Sequence, residues 1–159
     1  PLGYLSECEL ADIYLSERMA PAAAQEQMMR RMAPGIEVWR VEEVDVRAPA
    51  LQAITINTSY TALLLDPVDP VGLQQKIDDL LASESIMRTR RKKEYDLRPL
   101  IEALALVATA DDSTLLTMRL TMMPGKTGRP DEVLNALDLD PMAARITRTE
   151  IVLAEPEQV

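Results

Sequence analysis

The sequence predicts an α+β protein in which short strands alternate with helices. Stretches of alternating apolar and polar residues are separated by stretches of good helix formers, with Pro, Gly and Asp at the boundaries. Hydrophobic residues make up 47% of the 159 residues, and the absence of Phe beside nine Met predicts an aliphatic core. The order of the segments predicts two ferredoxin-like (split β-α-β) units in tandem, the first truncated at its N-terminus.

The first third of the chain predicts one strand, one helix and a further strand. Residues 7–16 alternate around three apolar positions, as a strand does. Residues 22–32 are rich in helix formers and follow Pro21, which suits a first helical turn. Residues 36–46 alternate again, with a phase shift that is typical of a bulge. Residues 1–47 are therefore expected to be the C-terminal part of a first β-α-β domain.

A linker at residues 48–50, Ala-Pro-Ala, is predicted to precede a second, complete ferredoxin-like domain at residues 51–155, and residues 156–159 form an acidic tail. Apolar periodicity in the second domain gives the order β-α-β-β-β-α-β. The predicted segments are strand 54–65, helix 71–82, strand 86–91, strand 99–109, strand 114–122, helix 130–137 and strand 145–154.

The segment 99–109 is compatible with a helix by propensity, because it is rich in Ala and Leu. A strand is preferred, since the polar residues 110–113 form a turn between this segment and a matching apolar run at 114–122. The two runs are therefore expected to form a hairpin.

The net charge of −9 is unevenly distributed along the chain. Residues 1–85 carry a net charge of −8, whereas residues 86–148 carry +2. A generic polyanion binder is basic overall, so any nucleic-acid contact is expected in the second half. No apolar run approaches the ~18 residues of a membrane span, and a cytoplasmic location is the expectation. The start at Pro1 rather than Met suggests an excised fragment.

Cys8 is the only cysteine, and the chain has no His. These two facts argue against catalysis within the fragment, because a zinc-type ligand set and the commonest general base are both missing. The acids that flank Cys8 are expected to raise the pKa of its thiol, so a plain strand cysteine is the preferred interpretation. No cofactor and no metal site are expected in this fragment.

The segment 87–101 carries six basic and two acidic residues in an otherwise acidic chain. Its candidates for anion or partner binding are Arg88, Arg90, Arg91, Lys92, Lys93, Asp96 and Arg98. Arginine forks chelate phosphates and Tyr95 is suited to stack on a base, which favours contact with nucleic acid. The alternative is structural: alternating cations prevent pairing of an exposed edge strand, and Asp96 with Arg98 forms a local ion pair that fixes the turn.

Three further candidates lie downstream of this segment. Lys126 and Arg129 belong to a Gly-containing loop whose amides are suited to hold one phosphate, although a plain strand-to-helix connection is the alternative. Leu120 stands where a Walker motif has its first Gly, which excludes a P-loop NTPase. Arg148 follows Arg145 by three residues, so at most one of them can join the basic turn in a common surface.

Three motifs carry a resemblance to a known family. They are the basic run followed by Tyr95-Asp-Leu-Arg-Pro-Leu-Ile101, the stretch Gly125-Lys-Thr-Gly-Arg-Pro-Asp-Glu-Val-Leu134, and Arg145-Ile-Thr-Arg-Thr-Glu150. With them, the chain resembles the C-terminal two-thirds of an uncharacterised bacterial domain family that is encoded beside, or fused to, radical-SAM proteins. The start, Pro1-Leu2-Gly3, is similar to the middle of that family's pattern.

The resemblance implies a non-catalytic accessory or substrate-binding domain that works with a radical-SAM protein, in cis or in trans. The single cysteine cannot supply the three that a radical-SAM cluster takes, so the cluster is expected elsewhere. RNA is the leading candidate substrate that the resemblance implies. The alternative is a protein–protein docking module whose basic turn engages an acidic patch without contacting nucleic acid. No membrane partner is expected.

Overall fold

The computed structural model describes residues 3–90, 92–109 and 113–154. In these residues a mixed sheet of six strands is combined with a few helices, which confirms the α+β class. The chain divides into two compact units. Residues 11–50 form one unit, and the residues up to 10 cluster with those from 51 onward in the other. One boundary between the units lies after Ala50, and the described residues before 11 group with the later part of the chain.

The helices are α1 Pro21–Met29, α2 Leu51–Ile54, α3 Pro70–Ala82 and α4 Pro130–Ala136. The strands are β1 Leu5–Ser6, β2 Thr55–Leu64, β3 Met87–Arg90, β4 Lys93–Asp96, β5 Ile101–Ala108, β6 Thr114–Met123, β7 Lys126–Thr127 and β8 Ala144–Leu153. Short 3-10 turns at Arg98–Leu100 and Pro141–Ala143 precede β5 and β8.

The main sheet has the strand order β1-β8-β2-β6-β5, and β7 pairs with β6 at its end. β2 lies at the centre and is antiparallel to both β6 and β8. β5 is antiparallel to β6, whereas β1 is parallel to β8. β3 and β4 form a separate antiparallel hairpin. Within the described residues, the order of the longer elements is β2-α3-β5-β6-α4-β8, with the hairpin inserted between α3 and β5.

β2 and α3 show how the sequence forms this unit. On β2, Tyr60, Ala62 and Leu64 are buried at every second position, which places one face of the strand on the core. α3 buries Leu73, Ile77 and Leu80, spaced as on one side of a helix. Asp69 caps α3 by accepting hydrogen bonds from the backbone of Val71 and Gly72 at 3.2 and 3.0 Å, and Pro70 occupies the first turn. The predicted helix and its cap are confirmed.

The core between the helices and the sheet is aliphatic apart from Tyr60. Its most deeply buried side chains are Ile77, Leu97, Leu116, Leu120, Val133, Leu134 and Leu137. Burial of each such side chain contributes about 1.5–3 kcal/mol relative to exposure. The aliphatic core therefore agrees with the composition, in which Phe is absent and Leu, Ile, Val and Met supply the apolar side chains.

All predicted segments of the second part have a counterpart in the structure. The segment 99–109 forms a strand, β5, and its hairpin with β6 is confirmed. The predicted basic turn is shorter than expected, because Lys93–Asp96 forms β4 and pairs with β3. Most of the predicted turn at 110–113 and the acidic tail at 156–159 lie outside the described residues.

The two strands predicted in the first third are wrong. Residues 7–16 contain no strand, and neither do residues 36–46, so the described part of this segment has α1 but no β-α-β unit. Alternation predicts a strand only where one face becomes buried, and here Ile13, Ile36 and Trp39 are 57, 53 and 70% exposed. In place of the backbone hydrogen bonds of a strand ladder, the side-chain amide of Gln25 donates to the carbonyls of Val38 and Trp39 at 2.8 and 3.1 Å. The predicted tandem of ferredoxin-like units is therefore not observed.

None of the helices in the described residues has the length and apolar character needed to cross a membrane.

Candidate functional site

The β3–β4 hairpin carries most of the exposed cations predicted to bind a partner. Arg90 lies directly opposite Lys93 in its register. Lys92, in the connecting turn, has a φ of 66° and is exposed, as is Lys93. Arg90 is half-buried, and Arg91 lies outside the described residues. The end of the hairpin therefore concentrates positive charge, and no ion pair within the described residues neutralises Arg90, Lys92 or Lys93.

Asp96 and Arg98 fix the base of this hairpin, and their side chains do not form an ion pair with each other. The carboxylate of Asp96 accepts hydrogen bonds from the backbone N–H groups of Ile86 and Arg98 at 2.8 and 3.0 Å. The bond from Ile86 is the largest cause that lowers the pKa of Asp96. The guanidinium of Arg98 turns away to the carbonyls of Leu81 and Ile101. Both side chains are therefore structural anchors in place of the expected ion pair.

The middle of the hairpin is attached to the start of α4 through Glu132. Arg88 and Tyr95 are paired across the hairpin, and the Nε of Arg88 lies 3.5 Å from a carboxylate oxygen of Glu132. Burial, followed by the carboxylate of Glu132, raises the pKa of Tyr95. Arg88 and Glu132 have side-chain exposures of only 30 and 18%. This contact orients one face of the hairpin. It also makes the side chains of Arg88 and Tyr95 less accessible to a partner.

The loop before α4 is also used internally. Lys126 and Thr127 pair with β6, and the N–H of Gly128 donates to the carbonyl of Thr121 at 2.8 Å. A Cβ on Gly128 would lie 3.0 Å from the carbonyl oxygen of Leu100, so the chain passes close to its neighbour here. Lys126 and Thr127 of this loop therefore form a short strand, in which Lys126 is exposed, and contact of the loop with a phosphate stays a prediction.

Arg129 forms a two-pronged ion pair with Asp131, with N–O distances of 2.9 and 2.8 Å. Burial by itself would raise the pKa of Asp131, but the hydrogen bonds and charge of Arg129 lower it below its ordinary value. The hydroxyl of Tyr4 accepts a hydrogen bond from the backbone N–H of Asp131 at 3.3 Å. Burial and then the charge of Asp131 raise the pKa of Tyr4 to about 12. Arg129 is thus part of a half-buried cluster and is not a free anion ligand.

Arg148 lies on the side of β8 opposite to that of Arg145. Its guanidinium binds both carboxylate oxygens of Glu9 at 2.8 and 3.0 Å and lies 5.7 Å from the ring centre of Tyr60. Its side chain is only 12% exposed, and its buried Nε has no hydrogen-bond partner among the described residues. Arg145 is exposed. Arg148 therefore ties the N-terminal segment to the sheet.

The predicted cations that the structure describes fall into two groups. Arg88, Arg98, Arg129 and Arg148 are bound to acids or carbonyls of the same chain. Those that are not held by an ion pair within the described residues are Arg90, Lys92, Lys93 and Lys126. The hairpin and the loop are brought together at the start of α4, through Glu132 and Asp131 respectively.

Cys8 lies in the N-terminal segment beside Arg148. Burial is the largest cause that raises the pKa of its thiol, with Glu9 and Glu7 adding to the rise and Arg148 opposing it. The thiol is therefore protonated at neutral pH and is a poor nucleophile. Across the described ranges, no three His, Cys, Asp or Glu side chains lie together as a metal-ion site would require.

The family comparison matches residues 1–130 to the family described as "Uncharacterized protein conserved in bacteria (DUF2344)". The chain belongs to this family. The matched range of the DUF2344 chain includes the β3–β4 hairpin and ends at the first residue of α4, so β8 with Arg148 lies beyond it. No curated protein and no solved structure matches the chain.

Sequence reasoning missed the residues that contact the predicted cations in this DUF2344 chain. Glu9, Asp131, Glu132, Tyr4 and Tyr60 are absent from the predicted site, and they contact it through pairs up to 139 residues apart. Of these residues, only Asp131 could have been found from the local sequence, since it follows Arg129 by two residues. The other pairs depend on how distant elements pack together, which no short motif encodes.

Proposed function

We propose that this chain is a non-catalytic accessory or substrate-binding domain that works with a radical-SAM protein, in cis or in trans. Its β3–β4 hairpin contacts an anionic partner, and RNA is the leading candidate. The chain brings no cofactor of its own, and a cytoplasmic location is part of the proposal. The link to radical-SAM proteins is supported by the motif resemblance, and the anionic partner by the charge arrangement of the hairpin.

The observation that carries the proposal is the like-charge pair at the end of the hairpin. Arg90 and Lys93 face each other across two strands, with Lys92 between them in the turn. Like charges directly opposite each other in a ladder destabilise it. A chain of net charge −9 has many acids with which to neutralise this cluster, and it uses them on Arg88, Arg129 and Arg148 instead. An anionic partner offsets the repulsion.

The anchoring of the hairpin also supports a binding role. Asp96 and Arg98 hold its base, and Glu132 holds its middle, so the exposed cations extend from a fixed support. A preorganised site loses less conformational freedom on binding. The described strands of the hairpin are therefore held in place before a partner binds.

The strand order supports a ferredoxin-like assignment for the larger unit. The elements β2-α3-β5-β6-α4-β8 with the order β8-β2-β6-β5 form two interleaved split β-α-β halves. We infer one such unit, with β1 added at one side and the basic hairpin inserted after α3. Such folds host many functions, so the functional argument depends on the hairpin.

The absence of catalysis is inferred from residue types. Three thiolates are needed for the cluster of a radical-SAM enzyme, and Cys8 is a single thiol with a raised pKa. Without His, the chain lacks the side chain that most often transfers protons at neutral pH. The chemistry is therefore assigned to the partner protein.

Protein docking is the second candidate, and the position of Tyr95 favours it. Tyr95 is half-buried against Glu132, so it is not displayed for stacking on a base. Contact with RNA would then use phosphates through Arg90, Lys92 and Lys93, and the same three cations also suit an acidic protein surface.

The test compares two triple variants that remove the same charge. Arg90→Ala/Lys92→Ala/Lys93→Ala removes the hairpin cations, and Arg31→Ala/Arg47→Ala/Arg145→Ala removes three exposed arginines elsewhere. Binding of fluorescein-labelled polyuridylate is measured by anisotropy over a salt series. The loss of three phosphate contacts lowers the salt slope by about 2, at ~0.7 per contact for single strands. The control variant should keep the parental slope.

Two results would change the conclusion. If the hairpin variant binds polyuridylate with the parental affinity and slope, the hairpin is not an RNA contact. Co-purification with the radical-SAM protein then tests docking: a complex that survives moderate salt with the parent and is lost with the hairpin variant supports the second candidate. Parental behaviour in both assays overturns the proposal.

A further inference from the structure

The outer edge of β5 is open to a further strand. β5 pairs with β6 on one side, and no strand in the described part of the chain pairs with its other side. From Ala103 to Val107 the register is regular, and the segment contains no Gly, Pro or charged residue. Exposed edge strands usually carry such a residue, because their unpaired N–H and C=O groups otherwise pair with another chain.

A groove distinguishes this edge from the other edge of the sheet. β8 is also incompletely covered, since β1 pairs with it only at Thr147 and Arg148, so an open edge by itself selects neither strand. At β5, a groove of about 410 Å³ adjoins the edge and is lined by Leu106 of β5 and by one side of α3. Peptides that bind by strand addition use both parts: backbone hydrogen bonds give affinity, and pockets for alternate side chains give specificity.

The lining of the groove changes from apolar to acidic along α3. Val71, in the first turn, lines the groove and is 79% exposed. Asp78 lines it two helical turns further on, and its carboxylate accepts a hydrogen bond from the side-chain amide of Gln74 at 2.8 Å. The one cation of α3, Lys76, forms its ion pair with Asp138 at 3.1 Å instead. The charge of Asp78 is therefore available to a partner.

We propose that the edge of β5 and this groove bind an extended basic segment of a partner protein, which adds to the sheet as a strand beside β5. Side chains of an added strand alternate between the two faces of the sheet. Those on the helix face enter the groove, where an apolar side chain contacts Val71 and Leu106 and a Lys or Arg pairs with Asp78. Those on the other face lie beside the exposed Ala105.

The spacing along the groove fixes the pattern of such a segment. Val71 and Asp78 are seven residues apart, or ~10 Å along the helix at ~1.5 Å per residue. This distance lies between the ~7 Å that separates neighbouring side chains on one face of a strand and the ~14 Å that separates every second one. The basic side chain is therefore expected two or four positions from the apolar one.

Charge selects a basic occupant. Residues 66–85 contain one cation, Lys76, and five acids, a net charge of −4; the acids are Asp66, Asp69, Asp78, Asp79 and Glu84. On β5 itself, Glu102 is held only by neutral groups, the amide of Asn57 and the hydroxyl of Thr121 at 2.9 and 3.0 Å. RNA or a second copy of this chain would bring further negative charge to this edge, whereas a basic segment complements it.

Anisotropy of fluorescein-labelled peptides tests the site on the full chain. The probe, Thr-Lys-Thr-Val-Thr-Lys-Thr, places a valine and two lysines on one face of a strand, and a reference peptide carries Glu in place of both Lys. Asp78→Lys should keep the parental circular dichroism spectrum and weaken probe binding about tenfold, because it replaces an attraction by a repulsion at an exposed site. Glu17→Lys makes the same charge change at an exposed residue of the other unit and should keep the parental affinity.

N-methylation separates strand addition from plain charge attraction. Successive residues of an added strand direct their N–H groups alternately toward β5 and away from it. Two versions of the probe therefore differ only in whether the two inner threonines or the two lysines are N-methylated. One version should lose binding and the other should keep it, although both carry the same charge.

The hairpin and the groove are tested independently. The variant Arg90→Ala/Lys92→Ala/Lys93→Ala should bind the probe as the parent does, and Asp78→Lys should bind polyuridylate as Glu17→Lys does. Three results overturn the proposal: a parent that binds the probe no better than the acidic peptide, an Asp78→Lys variant that binds it as well as Glu17→Lys does, and two methylated probes that bind equally.

Discussion

Replacing Arg98 by Ala is expected to destabilise the protein without weakening its binding to an anionic partner. Arg98 belongs to the basic segment, yet its guanidinium holds the chain together. Its Nε and Nη2 donate to the carbonyl of Leu81 at 3.1 and 2.9 Å, and its Nη1 donates to the carbonyl of Ile101 at 3.1 Å. The side chain thus joins the end of α3 to the start of β5.

The expected loss of stability is calculated from the hydrogen bonds to these two carbonyls. A hydrogen bond from a charged donor contributes about 1.5–3 kcal/mol, and the lower part of this range applies because Arg98 is half-exposed and water can replace it. Two carbonyls then give a loss of about 3–4 kcal/mol in the free energy of unfolding. For a protein of this size, that loss corresponds to a decrease in Tm of about 6–16 °C.

Thermal melting followed by far-UV circular dichroism measures this loss, and the polyuridylate assay is run on the same samples. Lys126→Ala is the matched control, because Lys126 is exposed and its loss should change stability by less than ~0.5 kcal/mol. Arg98→Lys should retain part of the stability, since an ammonium keeps the charge but cannot span both carbonyls. If Arg98→Ala melts like the control and loses RNA affinity, Arg98 is a binding residue and the reasoning fails.

Two further predictions concern the N-terminal segment. The pKa of Tyr4 in the folded protein, about 12, lies above its ordinary value of 10.0, so its contribution to stability is complete below pH 10 and is lost as the pH rises toward 12. Urea midpoints over this range should fall less for Tyr4→Phe than for the parent, and equal falls would contradict the assignment. Residues 51–155 expressed alone should unfold cooperatively but at a lower Tm than the full chain, because Arg148 loses Glu9 and Tyr60 loses Tyr4. A broad, non-cooperative melt would show that the first ten residues are essential to the core.

Sequence reasoning succeeded where the local pattern and the tertiary environment agree. The helix at 70–82 has a cap, a first-turn Pro and an apolar stripe, and all three reflect its place on the sheet. β5 was correctly separated from a helix because a matching run follows it after a short turn. Alternation failed at residues 36–46, since the same pattern occurs there without a neighbouring strand or a buried face.

β4 and the ion pairs could not be predicted from the local sequence pattern. Lys93-Glu-Tyr-Asp96 has little strand propensity, and it becomes a strand because the turn at Lys92 brings it beside β3. For the site, the sequence identified the cations of the hairpin but not which of them are neutralised. Arg148 meets Glu9 only because β1 lies beside β8, and a spacing of 139 residues carries no signal of that contact.

The placement of β1 makes residues 11–50 an insertion between two parts of one unit. The segment is tethered at both ends, because the residues up to 10 and those from 51 onward cluster together. The entropy of closing a loop grows only with the logarithm of its length, by about 0.6 kcal/mol per doubling. Shortening this forty-residue excursion to a quarter of its length would therefore change the closure term by only about 1.2 kcal/mol. Through loop closure alone, the length of the segment therefore has little effect on the stability of the sheet that carries the hairpin.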